Sequence, residues 1–213
     1  MVAVGLFSWL AETPVYRDLH LDAARLAHPT APGEQWIDVG CGPGLITRDA
    51  ARRGYDARGI DRSPRMIAEA TRLANRHRSP ARFEVGDARH LTPVSADVVF
   101  AASLLYVVPD PAETAAVLWN AVRPGGALIV VETTAAMTPA AVRQLDTRTW
   151  SGRDRRAVSL WALARQGRAL DPTTFPALSQ AETAYHPLLS GLVGAWVFRQ
   201  PGSASDSGGG ARE

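Results

Sequence analysis

Apolar and polar positions follow two different patterns along this chain. After Pro14, apolar residues recur at Val15, Leu19, Ala23 and Leu26, which is the spacing of one face of an amphipathic helix. Other apolar runs are continuous, and continuous runs are typical of strands that are covered on both faces. The pattern therefore predicts an N-terminal helix followed by a parallel sheet with helices on its faces.

Five continuous runs predict strands that alternate with helical segments. The strands are expected over residues 36–39, 56–60, 81–85, 97–102 and 127–132, and the helices over about 45–53, 64–76 and 111–122. Two later apolar stretches, 182–189 and 192–199, flank Ser190-Gly191 and predict a closing antiparallel hairpin. Together these elements predict a doubly wound, seven-stranded mixed sheet of the α/β class.

Polar residues directly before proline indicate where helices begin, because such pairs fit an N-cap followed by proline at the first helical position. These pairs start at Thr13, Ser63, Asp110, Thr138 and Asp171. The segment 138–180 has a helical but irregular pattern. We expect a helical lid over residues 1–32, one α/β domain over 33–200, and a disordered Gly/Ser-rich tail over 201–213.

Composition narrows the class of protein. A chain of 213 residues suits one domain, and a net charge of +2 gives no strong general attraction to nucleic acid. All 23 basic residues are arginine, which together with abundant alanine suggests a GC-rich bacterial genome. The single cysteine, Cys41, allows no disulfide within the chain and favours the cytoplasm. The longest apolar run, 94–108, is shorter than a membrane span and contains Asp97, so no membrane partner is expected.

A glycine-rich turn between the first predicted strand and the next helix carries the main chemical signal. Residues 38–44 have the sequence Asp-Val-Gly-Cys-Gly-Pro-Gly. Gly40 permits the tight turn, while Gly42 and Gly44 leave room for a ligand near the backbone. The free N–H groups of the following helix suit a carboxylate. Because position 45 is Leu45, the spacing is G-x-G-x-G and not the G-x-G-x-x-G of dinucleotide-binding proteins.

Two further elements fit a nucleoside site at the same edge of the sheet. Asp61 ends the second predicted strand, where its carboxylate can accept hydrogen bonds from both ribose hydroxyls. Gly86-Asp87-Ala88 follows the third predicted strand and is placed to meet the edge of an adenine ring. Since ligands of open α/β sheets bind at the carboxyl ends of the strands, these elements and the glycine-rich turn predict one site.

The motifs, in this order, resemble those of the class I S-adenosylmethionine (SAM)-dependent methyltransferases, and specifically the bacterial small-molecule methyltransferases. The matching segments are 38–44, 61–66, 86–88, 103–111 and 122–128. They lie within a region from about residue 35 to residue 132. The resemblance implies a Rossmann-like SAM methyltransferase fold and SAM as the cofactor.

The resemblance also implies roles for individual residues. The turn 38–44 would wrap the methionine half of SAM, Asp61 would hold the ribose, and Met66 would pack on the adenine. Asp87 and Ala88 would contact the adenine edge, and Ser103 would lie near the reactive methyl group. The full set of expected cofactor-binding residues is Asp38, Gly40, Cys41, Gly42, Gly44, Asp61, Arg62, Met66, Asp87, Ala88 and Ser103.

The substrate side is less clearly marked. Tyr16 and His20 share one face of the N-terminal helix, which in the resembling family often covers the cofactor and lines the substrate pocket. Tyr16 and Trp150 are therefore candidate substrate contacts, with packing in the core as the alternative. His20 and Tyr106 are candidate bases for an oxygen nucleophile. Many relatives have histidine at the position of Tyr106, so the base role carried over from them is open.

The resemblance implies an enzyme that transfers the methyl group of SAM to an O, N or C nucleophile of a small biosynthetic metabolite. No Asn-Pro-Pro-Tyr-type motif follows the fourth predicted strand, where residues 101–104 are Ala-Ala-Ser-Leu, and this argues against exocyclic amines of nucleic-acid bases. No acidic cluster indicates a metal. The alternatives are a SAM-binding protein of the same fold that acts as a cyclase or non-catalytic partner, and a nucleotide-binding regulator. The sequence does not indicate an oligomeric state.

Overall fold

A single sheet organises the computed structural model, which describes residues 10, 13–91, 95–165 and 170–202. Its strands are β1 (Gln35–Val39), β2 (Asp56–Asp61), β3 (Arg82–Val85), β4 (Ala96–Ala102), β5 (Val122–Thr133), β6 (Glu182–Leu188) and β7 (Val193–Arg199). They lie in the order β3-β2-β1-β4-β5-β7-β6. Strands β1 to β5 are parallel, and β7 is antiparallel to both β5 and β6. The predicted seven-stranded mixed sheet with a closing hairpin is confirmed.

Helices cover both faces of the sheet. They are α1 (Pro14–Ala24), α2 (Leu45–Arg52), α3 (Pro64–His77), α4 (Pro111–Asn120), α5 (Pro139–Arg143) and α6 (Gly152–Arg165), with 3₁₀ turns at Ala88–His90, Pro172–Thr174 and Leu189–Gly191. On one face, α1, α2 and α6 contribute Leu19, Ile46 and Trp161 to a shared core. On the other face, α4 contributes Leu118. Strand β5 is buried between these cores, which explains its long apolar run.

Side-chain caps start most helices at the predicted places. Four of the five residues that precede a proline accept a hydrogen bond from an amide of the first turn; they are Ser63, Asp110, Thr138 and Asp171. The cap at Asp171 begins a 3₁₀ turn rather than an α-helix. Thr13 is the exception, because its hydroxyl donates to the carbonyl oxygen of Leu10 and caps nothing in α1.

The beginning of β5 differs from the prediction. Helix α4 ends at Asn120, and Val122 already pairs with Ala96, whereas the sequence pattern predicts a helix to 122 and a strand from 127. The register then shifts between this pair and the rest of the β4–β5 ladder. Gly126 lies in the shifted stretch, where an added Cβ would be 2.8 Å from the carbonyl oxygen of Asp97. The Pro-Gly-Gly sequence therefore forms an irregular part of the strand rather than a loop before it.

Helix α1 packs on the sheet and is part of its core. Leu19, Ala23 and Ala24 are buried in the same cluster as side chains of β4 and β5. The expected lid over 1–32 thus shares a core with the α/β domain, and residues 1–9, 11 and 12 of it lie outside the described residues. Most of the expected disordered tail, residues 203–213, also lies outside them. Within the described part of the chain, no helix is both long and apolar enough to cross a membrane.

Candidate functional site

A cleft opens at the carboxyl ends of the parallel strands, where the strand order reverses between β1 and β4. Its volume is about 630 Å³, counting the part that is open to solvent. Six of the residues that the sequence predicts for cofactor binding line it: Gly40, Asp61, Arg62, Asp87, Ala88 and Ser103. The sequence motifs from four separate strand ends therefore meet in one place.

The glycine-rich turn is fixed by the neighbouring strand. The amides of Gly40 and Cys41 both donate to the carbonyl oxygen of Ile60 at the end of β2, over 2.8 and 3.0 Å. Gly40, Gly42 and Gly44 all have positive φ, at 75°, 51° and 73°. These are left-handed conformations that glycine adopts without steric cost. The turn is thus held in a shape that the sequence anticipates.

The glycines of this turn have different neighbours. A Cβ on Gly42 would meet nothing within 4 Å, so the space beside this backbone is open, although Gly42 is not among the residues that line the cleft. A Cβ on Gly44 would instead lie 2.3 Å from the ring of Phe83 and 3.0 Å from Ala70. The prediction that glycine is needed at position 44 to leave room for a ligand is therefore wrong. Gly44 is required because β3 and α3 pack against it.

Asp61 is positioned by two backbone amides. One carboxylate oxygen accepts from the amide of Gly42 over 2.9 Å, and the other accepts from the amide of Ser63 over 2.8 Å. A carboxylate has about four acceptor positions on its two oxygens, so each oxygen can still accept a further hydrogen bond. Asp61 therefore links the glycine-rich turn to the start of α3 and keeps acceptor capacity in the cleft.

Tyr16 and Ser103 join α1 to the end of β4. The Tyr16 hydroxyl donates to the Ser103 hydroxyl oxygen over 3.1 Å, and Ser103 is held at a left-handed φ of 53°. Left-handed serine is uncommon and costs conformational energy, so the surrounding contacts must fix it. Burial raises the pKa of Tyr16 to about 12, which keeps its hydroxyl protonated and able to donate. Ser103 lies in the wall of the cleft, so α1 reaches the candidate site through this bond.

A sequence profile described as a methyltransferase domain matches residues 37–130, which run from β1 into β5 and include every strand that lines the cleft. This region is a methyltransferase domain, and its motifs and strand order are those of the class I SAM-dependent methyltransferases.

Curated relatives of the methyltransferase chain act in small-molecule biosynthesis, according to their names. A ubiquinone biosynthesis O-methyltransferase of Methylococcus capsulatus is 34% identical over 103 residues, which are 47% of this chain and 44% of the relative. A 2-methyl-6-phytyl-1,4-hydroquinone methyltransferase of Synechocystis is 33% identical over 156 residues, which are 71% of this chain and 43% of the relative. The chain spans less than half the length of these relatives.

Solved structures show the same fold. The N-methyltransferase NodS of Bradyrhizobium japonicum, in complex with S-adenosylhomocysteine, superposes with a TM-score of 0.64 at 19% sequence identity. The superposition covers 92% of this methyltransferase chain and 97% of that one. At this identity the likeness establishes the architecture, so residue roles are argued from the present structure.

Asp38 and Cys41, two of the expected cofactor-binding residues, are buried beneath the glycine-rich turn. Asp38 is buried, and one of its oxygens accepts from both the amide and the hydroxyl of Thr47, over 3.1 and 2.7 Å. Burial raises the pKa of Asp38 to about 7. Cys41 is also buried, which raises the pKa of its thiol. Neither residue lines the cleft, because both side chains lie beneath the turn.

Asp87 and Ala88, which the resemblance assigns to the adenine edge, both lie in the cleft wall. The carboxylate of Asp87 accepts from the backbone amide and the guanidinium of Arg89, and these hydrogen bonds lower its pKa. Met66 lies in the first turn of α3 and does not line the cleft. The predicted packing of Met66 on adenine therefore has no support in the cleft wall as the structure shows it.

His20 is buried, with 3% of its surface exposed, and it does not line the cleft. Its Nδ1 lies 2.7 Å from the carbonyl oxygen of Tyr16, so Nδ1 carries the proton and Nε2 is an acceptor. Nε2 is buried and has no hydrogen-bond partner among the described residues. Burial lowers the pKa of His20 to about 4, which keeps the ring neutral at neutral pH.

The other two candidates for the substrate side lie in different surroundings. The hydroxyl of Tyr106 donates to the carbonyl oxygen of Thr133 over 3.4 Å, and the guanidinium of Arg165 lies 4.4 Å from its ring centroid. Burial raises the pKa of Tyr106, so it is a donor rather than a ready base. Trp150 packs on the core that α1 and α6 share and is not in the cleft wall. Its packing matches the alternative that the sequence left open.

Two buried charged residues near the cleft, Glu132 and Arg165, were not predicted from the sequence. Glu132 is 1% exposed and Arg165 is 4% exposed, and the guanidinium of Arg165 acts electrostatically on the Glu132 carboxyl. A charged residue at the end of an otherwise apolar strand was the available signal for Glu132.

Among the described residues, no group of three or more His, Cys, Asp or Glu could hold a metal ion.

Proposed function

We propose that this chain transfers a methyl group from SAM to a small metabolite. The observation that supports this most directly is Asp61, a carboxylate fixed by two amides in a cleft at the switch between β1 and β4, with acceptor capacity left for ribose hydroxyls. The relatives named for ubiquinone and hydroquinone methylation support a small-molecule acceptor. We also place the protein in the cytoplasm, in agreement with its single free thiol, and expect no nucleic-acid partner.

The cleft residues fit the parts of SAM. Asp61 would accept from the ribose hydroxyls, Ala88 and Asp87 would contact the adenine edge, and Gly42 would let the methionine part approach the backbone. SAM supplies a methyl group that is activated by its positively charged sulfur. The chain then contributes mainly orientation and exclusion of water, which together can account for much of a methyl-transfer rate.

The acceptor would bind on the α1 side of Ser103. Tyr16 reaches this point, and its ring lies 5.2 Å from the ring of Trp161 on α6. We propose that α1 covers this side as a lid, with the hydrogen bond from Tyr16 to Ser103 as its contact with the cleft wall. For an oxygen acceptor, His20 is the better candidate base than Tyr106, since its Nε2 is an unprotonated acceptor, but because Nε2 is buried, α1 would have to move before an acceptor could reach it.

Binding and turnover test the proposal separately. Calorimetry should detect S-adenosylhomocysteine binding that NADH does not compete with, and a screen of candidate metabolites should find an acceptor that yields S-adenosylhomocysteine from SAM. A folded protein that binds neither sulfur nucleoside would refute the proposed function. Binding without turnover on any acceptor would favour the alternative, a SAM-binding protein with a cyclase or non-catalytic role.

Replacing Asp61 by alanine should weaken S-adenosylhomocysteine binding at least about tenfold, because charge-assisted hydrogen bonds contribute about 1.5–3 kcal/mol. The thermal unfolding temperature should change little, since Asp61 is only partly buried. The matched control is Asp146→Ala, which removes an exposed carboxylate paired with Arg148 outside the cleft. Equal affinities for the two variants would show that a different residue holds the ribose.

A further inference from the structure

Glu132 is a buried carboxylate that binds the chain segment directly after β4. One of its oxygens accepts from the amide of Leu105 over 2.8 Å, and the neighbouring amides of Leu104 and Tyr106 also lower the pKa of the carboxyl. The amide just before them, on Ser103, donates to the carbonyl oxygen of Val131 over 2.9 Å. The amides of Ser103 and Leu105 thus tie this segment to the end of β5.

This arrangement partly compensates a charged carboxylate for the loss of water at a buried position. A buried carboxylate is destabilised by loss of water unless donors and opposite charges compensate it. Here the compensation comes from three N–H groups of one turn, which form an anion-binding concavity, and from the guanidinium of Arg165. Burial outweighs these effects and raises the pKa of Glu132 to about 7. The carboxylate can therefore change its charge near neutral pH.

The turn that Glu132 holds carries groups of the candidate site. It follows directly after Ser103, whose left-handed backbone and hydroxyl form part of the cleft wall. Leu104 and Val107 line the same wall, and Tyr106 lies between them. Any movement of this turn therefore moves one side of the cleft.

We propose that Glu132 is a positioning residue of the methyltransferase site, whose charged carboxylate fixes the turn 104–106 and thereby the cleft wall formed by Ser103 and Leu104. The inference rests on the proposed function, because the ligand of that wall is the sulfur nucleoside. Glu132 lies beneath the wall and acts through the turn, so it does not itself touch the ligand. Protonation of the carboxyl weakens its bonds to the amides, releases the turn and lowers the affinity of the cleft.

The charged and titratable groups around Glu132 come from three directions. Arg165 faces it from α6, Tyr16 from α1, and Tyr106 from the turn itself. On β7, the position paired with Glu132 is Gly194, which carries no charge. Tyr16 has a pKa of about 12, the pKa of Tyr106 is raised, and arginine stays charged, so Glu132 is the member of this group that titrates between pH 6 and pH 8.

The test is the affinity for S-adenosylhomocysteine, measured by calorimetry at pH 6, 7 and 8. If only the charged carboxylate fixes the turn, the affinity of the wild-type chain should fall about tenfold from pH 8 to pH 6. Glu132→Gln should bind about tenfold more weakly than wild type at pH 8, with no further change down to pH 6. Glu132→Asp is a second variant for the case in which Glu132→Gln does not fold. Because it keeps the carboxylate, its affinity should still fall from pH 8 to pH 6.

Asp38 provides the control, because it is the other buried carboxyl with a pKa of about 7 and it lies beneath the glycine-rich turn. Asp38→Asn should keep the fall in affinity from pH 8 to pH 6. A fall that persists in Glu132→Gln and disappears in Asp38→Asn overturns the proposal and assigns the titration to Asp38. A flat wild-type profile overturns it as well. A wild-type chain that binds no S-adenosylhomocysteine at any pH instead refutes the proposed function.

Discussion

Replacing Gly44 by alanine is expected to lower the free energy of unfolding by about 3 kcal/mol. The loss has two causes, because alanine would have to adopt a left-handed conformation and its methyl group would overpack the core. The new methyl group would lie 2.3 Å from the ring of Phe83, with Ala70 at 3.0 Å. The backbone at Gly44 has a φ of 73° and begins α2, so it cannot rotate to relieve the contact without losing the start of the helix. Urea denaturation measures the loss.

Gly42→Ala is the matched comparison, because it places the same methyl group two residues earlier. Its φ of 51° is also left-handed, but no atom lies within 4 Å of an added Cβ. The variant should lose only about 1 kcal/mol of stability, the conformational cost alone. Its affinity for S-adenosylhomocysteine should nevertheless fall, since the methyl group occupies the space proposed for the ligand. If Gly42→Ala were the less stable of the two, the packing role assigned to Gly44 would be wrong.

The free energy of unfolding should fall by about 2 kcal/mol between pH 6 and pH 8, in contrast to the usual gain from paired surface carboxylates. Asp38 and Glu132 both have folded-state pKa values of about 7, above their ordinary values of 3.8 and 4.5. An acid with a raised pKa contributes stability that is present below its unfolded-state pKa and is lost as the pH rises through its folded-state value. Each carboxyl contributes about 1.4 kcal/mol to the fall.

His20 opposes part of this fall. Its folded-state pKa of about 4 lies below the ordinary value of 6.5, so the unfolded chain binds more protons and stability rises with pH over that interval. Above pH 6 this gain is about 0.8 kcal/mol, which leaves the net loss near 2 kcal/mol. Urea denaturation of Asp38→Asn should show a fall about 1.4 kcal/mol smaller than that of wild type. An equal fall in both proteins would contradict the pKa assigned to Asp38.

The fold could be predicted from the sequence because its signals are local. Continuous apolar runs marked the buried strands, and residues before proline marked four helix or 3₁₀ starts. The start of β5 could not be predicted, because Val122 joins the sheet through a pairing with Ala96 that depends on a register shift. Long-range pairings of this kind leave no periodic pattern in a short segment.

The candidate site was predictable where a backbone conformation or a strand end determines a residue. Gly40, Asp61 and Ser103 are such positions, and all three line the cleft. The direction in which a side chain points was not predictable from the sequence. Asp38 and Met66 lie in the expected segments, but neither is part of the cleft wall. A charged residue at the end of an apolar strand marks Glu132 in the sequence, but its partners, which are amides after a different strand and Arg165 of α6, are not indicated by any local pattern.

The strand order also determines when, during folding, the site comes into existence. Asp61 belongs to the half of the sheet formed by β1, β2 and β3, whereas Ser103 belongs to the half that begins with β4. Within the sheet, the two halves are joined where β1 pairs with β4, and such non-local pairings are slow to form because the intervening chain must first close into a loop. A ligand that needs both walls therefore cannot bind a half-formed sheet or rescue an early intermediate. It stabilises only a chain whose central ladder is complete, so cellular SAM would protect the finished protein from unfolding without speeding its folding.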